Sequence, residues 1–166
     1  MSLTLILMRH VKSSWDHPGL SDFDRPLSGR GEQSAQAMGA WLRAGGWHPD
    51  EVLSSSSLRT RETFAGLGFE IRAQFLPELY HAEPGAMWDA LHQAGGRCVL
   101  MLGHNPGIAD FAASLVAAPP KHARFDDFPT CATLVARFDT PDWLHLQPRS
   151  GHPVAFAIPR EIIGVP

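Results

Sequence analysis

Two histidines stand at the ends of apolar runs. The chain opens LTLILMRHVK, which stops on Arg9-His10, and CVLMLGHNPG later stops on His104. A run such as Leu3–Met8, β-prone and without polar alternation, suits a strand covered on both faces. Residues just past the C-terminal edge of such strands lie in the crevice where open α/β sheets bind ligands. Arg9 sets a planar, permanently charged fork beside one histidine, a geometry suited to phosphate. Arg59, within SSSSLRTRET, sits at a third handover from strand to helix. Singly, each has a plain reading: a surface strand end, a turn residue before a helix, one exposed helix cation among others. Gathered in one crevice, they point to phosphoryl chemistry on a histidine.

The elements that must position them follow from periodicity and punctuation. After the first strand, Lys12–Leu27 reads as an active-site loop rich in Pro, Gly, Asp and Ser. Ser28 caps a helix running to about Ala44, with Ala35, Met38 and Leu42 on one face and Gly45-Gly46 as its stop. Glu51–Ser54 reads as a strand, Ser57–Leu67 as a helix, Glu70–Phe75 as a strand and Pro77–Gly85 as a loop. A helix near Ala86–Ala94 leads to strand Arg97–Leu102. The helix from Gly107 carries Ile108, Phe111, Ala112 and Leu115 on its apolar side. Pro119-Pro120 breaks it, and the stretch to Pro129 is a loop. Cys131–Phe138, Trp143–Leu146 and Val154–Ile158 read as closing strands. Alternating strands and helices predict an α/β domain, a three-layer αβα sandwich around a mainly parallel sheet.

Composition sets the bounds. At 166 residues the chain reads as one domain spanning 1–166. Its 44% hydrophobic and 19% charged residues are ordinary for a globular protein. A net charge of −3 indicates neither a general nucleic-acid surface nor an anionic-membrane surface, so any basic site is local. Cys98 and Cys131 fit no disulfide ladder, and no run has membrane-spanning length or the pattern of a secretion signal. The expectation is a cytoplasmic protein. His17, His48, His81, His92, His122, His145 and His152 are scattered without HExxH or HxH, and read as surface or loop histidines. Asp22-Phe23-Asp24 and Asp126-Asp127 read as loop-ordering carboxylates rather than cation sites. No metal or cofactor is therefore expected.

The order RH, RPLSGRG, SSSxLRTRET and GHNPG resembles the histidine phosphatase superfamily, also called phosphoglycerate-mutase-like. MRHVKSSWxxPGLSDFDRPLSGRG is similar to its SixA-type phosphohistidine phosphatase branch. The resemblance runs from Leu5 to about Phe111 and more weakly from Trp143 to Pro159. It implies a phosphoglycerate-mutase-like fold with His10 as a nucleophile that forms a phosphohistidine intermediate. Arg9 and Arg59 would hold the non-bridging oxygens. His104 would be a further phosphate contact, as a cation stabilised by the dianion. Lys12 and Arg25 either extend the anion site or are solvated. Asn105 orders its turn or touches substrate, and Ser57 caps its helix or donates a hydroxyl. Val11 replaces the small glycine or alanine usual after the histidine and would narrow the pocket floor.

Many members carry a glutamate after the third strand that protonates the leaving alkoxide. Here LPELYHAEPG offers Glu78 and Glu83, with Glu78 the candidate, whereas SixA-type members lack a clear counterpart. A site without a strong acid favours P–N bonds or activated esters, because an alkoxide leaves poorly without a proton. The leading expectation is a metal-independent protein phosphohistidine phosphatase. Its alternatives are a phosphomonoesterase on a small phosphorylated metabolite and a silent phosphate- or phosphopeptide-binding module. The partner is a phosphorylated protein or a small phosphorylated substrate.

Overall fold

A computed structural model describes residues 2–163. Strand β1 (Leu3–Arg9) is central, and its alternation explains why it reads as an unbroken apolar run. Leu3, Leu5 and Leu7 enter one core cluster, and Ile6 and Met8 enter the other. Both faces are covered, so no polar residue is needed on either. Truncating Leu5 or Leu7 to alanine should cost about 2–5 kcal/mol, the usual range for a buried leucine.

β1 pairs in parallel with β4 (Cys98–Gly103) and antiparallel with β5 (Thr133–Phe138). β2 (Glu51–Ser55) lies beyond β4, β3 (Ala73–Leu76) beyond β2, and β6 (His152–Ala157) beyond β5. The single sheet runs β3-β2-β4-β1-β5-β6. Its first four strands are parallel, so their C-terminal ends share one edge.

Helices α1 (Gly29–Ala44), α2 (Leu58–Leu67) and the short α5 (Pro159–Ile163) cover one face. Ala35, Met38, Leu42 and Leu67 fill that layer, with Ile162 packed on it. α3 (Pro84–His92) and α4 (Gly107–Leu115) cover the other through Met87, Leu91, Ile108, Phe111 and Leu115. The αβα sandwich expected from the sequence is the fold. α1 starts at Ser28, whose hydroxyl accepts the Gly31 N–H at 3.0 Å, satisfying a donor that the first helical turn leaves free. α2 stops at Gly68, held at φ 80°, a conformation that suits glycine.

The chain leaving β1 turns to the α1 face, while the chain leaving β4 turns to the α4 face. Their divergence opens a crevice between two adjacent strand ends, the place where open parallel sheets take ligands. Glycine lets the flanking loops close on it. A Cβ at Gly31 would overlap the Lys12 carbonyl oxygen, and one at Gly107 would overlap that of Ala82.

Several boundaries differ from the expected ones. β3 starts at Ala73 rather than Glu70, and α3 at Pro84, whose fixed φ suits a first helical position. Residues 143–146 form a turn, not a strand. Trp143 and Leu146 are both buried, the Leu146 N–H donates to the Trp143 carbonyl at 3.1 Å, and Leu144 between them is 67% exposed. The Trp143 indole N–H donates to the Gly96 carbonyl at 2.6 Å, just ahead of β4. α5 is an element the sequence reading lacks.

Candidate active site

The crevice is a cleft of about 360 Å³ lined by Arg9, His10, Lys12, Arg25, Arg59, His104 and Asn105, together with Ser13, Trp15, Asp22, His81 and Thr130. Arg9 ends β1 and His10 follows it, His104 follows β4, and Arg59 lies in the first turn of α2 after β2. Thr63 Oγ1 accepts the Val11 N–H at 3.1 Å and donates to the Arg59 carbonyl at 2.7 Å. One hydroxyl thereby ties the β1 end to the helix that carries the arginine.

His10 is 6% exposed. Its Nδ1 lies 2.7 Å from the Val11 carbonyl oxygen. A carbonyl only accepts, so Nδ1 carries the proton and the neutral ring keeps its lone pair on Nε2. Burial lowers the His10 pKa to about 3, with Arg59, Arg9 and Arg25 adding to the effect and the Val11 hydrogen bond opposing it. The ring is therefore unprotonated at neutral pH, with the Nε2 lone pair in the form that nucleophilic attack requires.

His104 lies with its ring centroid 5.1 Å from that of His10. Its Nε2 is 2.7 Å from Ser55 Oγ, while Nδ1 accepts from Arg59 Nη2 at 3.3 Å. Burial, then His10 and Arg59, lower its pKa to about 2. The resting ring is thus neutral and donates from Nε2; the cation implied by resemblance is one stabilised by a phosphoryl dianion.

Arg59 is 2% exposed and holds more than His104. Its Nη1 donates to the Asp22 carbonyl at 2.7 Å and its Nη2 to the Asp22 carboxylate at 3.0 Å. Asp22 also accepts from Arg25 Nη2 at 3.2 Å, from the Tyr80 hydroxyl at 2.5 Å and from His81 Nε2 at 2.8 Å. Burial alone would raise the Asp22 pKa. The hydrogen bonds from Tyr80, His81 and Arg59 outweigh it and hold the carboxyl well below the usual range. Arg25 stacks on Trp15, with its guanidinium carbon 3.6 Å from the ring centroid. Arg9 Nε, Arg25 Nε and Nη1, and Arg59 Nε are buried without a protein partner. Buried charged donors of this kind call for an acceptor, and the oxygens of a phosphoryl group are acceptors of the right charge.

The other expected residues divide. Lys12 is exposed on the rim. Asn105 orders its turn: Nδ2 donates to the Asp127 and Phe128 carbonyls at 2.8 and 3.1 Å, and Oδ1 accepts the Ala109 N–H at 3.3 Å. Ser57 occupies the N-cap position of α2, but its side chain makes no cap bond. Its hydroxyl instead pairs with Thr60 Oγ1 at 2.8 Å and lies 3.5 Å from His104 Nε2. Val11 is fully buried in the core beneath α1 and does not line the cleft. Its isopropyl group fills core rather than narrowing the pocket floor. Glu78 is exposed and lines a separate cleft with Gln74 and Asp89, so the structure does not bring it to the site as a proton donor.

Sequence reasoning missed Asp22, Tyr80 and His81. The signal was present in two places. Asp22 stands three residues before Arg25, and Tyr80-His81 follow β3 at the same sheet edge as His10 and His104. Among the described residues no cluster of His, Cys, Asp and Glu suits a metal ion. No helix among them is long and apolar enough to cross a membrane.

The sequence model of the histidine phosphatase superfamily (branch 1) matches residues 5–93. An uncharacterized protein of Mycobacterium tuberculosis is 33% identical over 160 residues, covering 92% of this chain and 100% of the relative. A solved structure from Nakamurella multipartitia, described as a candidate phosphohistidine phosphatase SixA, superposes with a TM-score of 0.83. It is 26% identical, and the match covers 96% of this chain and 97% of that one. A second candidate SixA structure, from Agrobacterium tumefaciens, has a TM-score of 0.76 at 27% identity, covering 94% and 97%.

Proposed function

This chain belongs to the histidine phosphatase superfamily, and on that premise we propose that it hydrolyses phosphohistidine on a protein. As a member of that family with SixA-like structural neighbours it is a phosphatase, and phosphohistidine is the substrate that its cleft favours. His10 Nε2 attacks phosphorus, the bond from phosphorus to the leaving nitrogen breaks, and phospho-His10 forms. Water then attacks the same phosphorus, releasing inorganic phosphate and restoring the neutral ring. Arg9 and Arg59 hold the equatorial oxygens, so the charge of the transition state is met by fixed guanidinium groups.

The observation that carries the P–N preference is the state of Asp22. It is the one carboxylate among the described residues lining the cleft, and its hydrogen bonds keep it ionised. An ionised carboxylate cannot donate the proton that an alkoxide needs. An imidazole protonated on its distal nitrogen leaves without that help. The test is turnover of phosphohistidine against aryl and alkyl phosphate esters with EDTA present. Hydrolysis of phosphohistidine and aryl esters, with alkyl esters slow, supports the reading. Brisk alkyl ester hydrolysis would make a small-metabolite phosphomonoesterase the better description.

A further inference from the structure

A second groove of about 440 Å³ adjoins the catalytic cleft and shares Lys12 and Thr130 with it. Its lining adds Arg30 and Arg160 at the starts of α1 and α5, and Arg124 on the loop before β5. No acidic residue lines it among those described. Arg124 is committed to Asp127, with guanidinium contacts of 2.8–3.1 Å to that carboxylate. Lys12, Arg30 and Arg160 form no side-chain ion pair among the described residues. A concentration of unpaired cations on a chain of net charge −3 is a local feature against the overall balance. Arg30 is also poorly placed for the helix that carries it, because a cation in the first turn opposes the helix dipole. Helix stability does not account for it.

We propose that this groove is a docking surface for an acidic stretch of polypeptide next to the phosphorylated residue of a protein substrate. The inference rests on the phosphatase reading and deepens it. Lys12, two residues beyond the nucleophile, belongs to both walls, so a chain whose phosphoryl group enters the cleft continues directly into the groove. Pro129, Pro159 and Ile163 add apolar surface to the same lining, which fits a peptide with mixed acidic and apolar side chains. A small bisphosphate would use the charges and leave that surface uncovered.

The test compares two phosphohistidine peptides, one flanked by glutamates and one by glutamines, on wild type and on an Arg30→Glu, Arg160→Glu double variant. Free phosphohistidine reports the integrity of the catalytic cleft. Wild type should favour the glutamate peptide. The double variant should raise KM for it by about tenfold or more, equivalent to about 1.4 kcal/mol, while kcat, the glutamine peptide and free phosphohistidine stay unchanged. Equal KM for both peptides in wild type overturns the proposal. So does a loss confined to inhibition by a short alkyl bisphosphate, added as a competitor of free phosphohistidine, which would mark a small-molecule subsite. Failure to turn over any phosphorylated probe would fail the phosphatase reading instead. The groove is then read independently, by fluorescence anisotropy of a labelled glutamate peptide that binds wild type and not the double variant.

Discussion

Asp22 grips Arg59 twice, through its backbone carbonyl at 2.7 Å and its carboxylate at 3.0 Å. Only the second of these contacts carries a charge that an incoming phosphoryl group must displace. Asp22→Asn keeps the carbonyl contact and removes the competing anion. Inorganic phosphate should then bind roughly fivefold more tightly, the effect of about 1 kcal/mol expected for a partly exposed ion pair. Calorimetric titration checks this. Weaker binding would show that the carboxylate serves Arg59 by positioning it.

His10→Ala should lower turnover by about 10⁴-fold or more, since the covalent route disappears with the nucleophile. The fold should survive, because the lost side chain sits at a strand end and belongs to neither apolar cluster. Acid-labile, base-stable labelling of the protein by substrate should vanish in the variant. Persistent turnover at near wild-type rates would refute the covalent mechanism.

Arg9→Lys and Arg59→Lys retain the charge and lose the planar fork. Each should reduce kcat by about 10²-fold, the scale on which fixed transition-state donors act. Near wild-type rates in both would mean that Coulomb attraction suffices without bidentate geometry.

The two depressed histidines predict how stability varies with acid. His10 and His104 titrate near 3 and 2 in the folded chain and near 6.5 when unfolded. Between those values the unfolded state binds protons that the folded state refuses, so stability falls as pH drops below about 6.5. Each histidine contributes at most about 1.4 kcal/mol per pH unit in that window. Urea unfolding at pH 7, 6 and 5 should show the decline, and His104→Gln should flatten it. An unchanged slope in that variant would contradict the neutral buried ring.

Glu78→Gln should leave the rates on aryl phosphate and phosphohistidine within about twofold, or about 0.4 kcal/mol. The side chain faces a different cleft. A tenfold or greater loss confined to alkyl esters would restore it as a general acid.

Elements buried on both faces were legible from their shortness and the turn residues that close them, since an unbroken apolar run has no period of its own. β1 and β4 are continuous apolar runs, and α1 carries both a serine cap and a stopping glycine. The stretch from Trp143 to Leu146 misled because two apolar residues three apart, with an apolar one between, mimic a short strand. What decides it is the three-residue spacing, which closes a turn with both large side chains inward. α5 escaped notice for a different reason. It is five residues long, and Glu161 reaches back to the Ile158 N–H at 3.2 Å rather than joining any periodic pattern. In the site, His10, Arg9, Arg59 and His104 were readable because each adjoins a recognisable strand end. Asp22 was not, since its partners Tyr80 and His81 lie 58 and 59 residues away and meet it only through loop closure.

The Trp143 indole and His104 sit at opposite ends of β4. One fixes the carbonyl just before the strand begins, the other stands where it has ended. The length of the strand separates changes at the indole end from the site. A substitution that retunes thermal tolerance at Trp143 should therefore leave the geometry around His104 largely in place. Selection on turnover and selection on durability act on the same strand from separate ends.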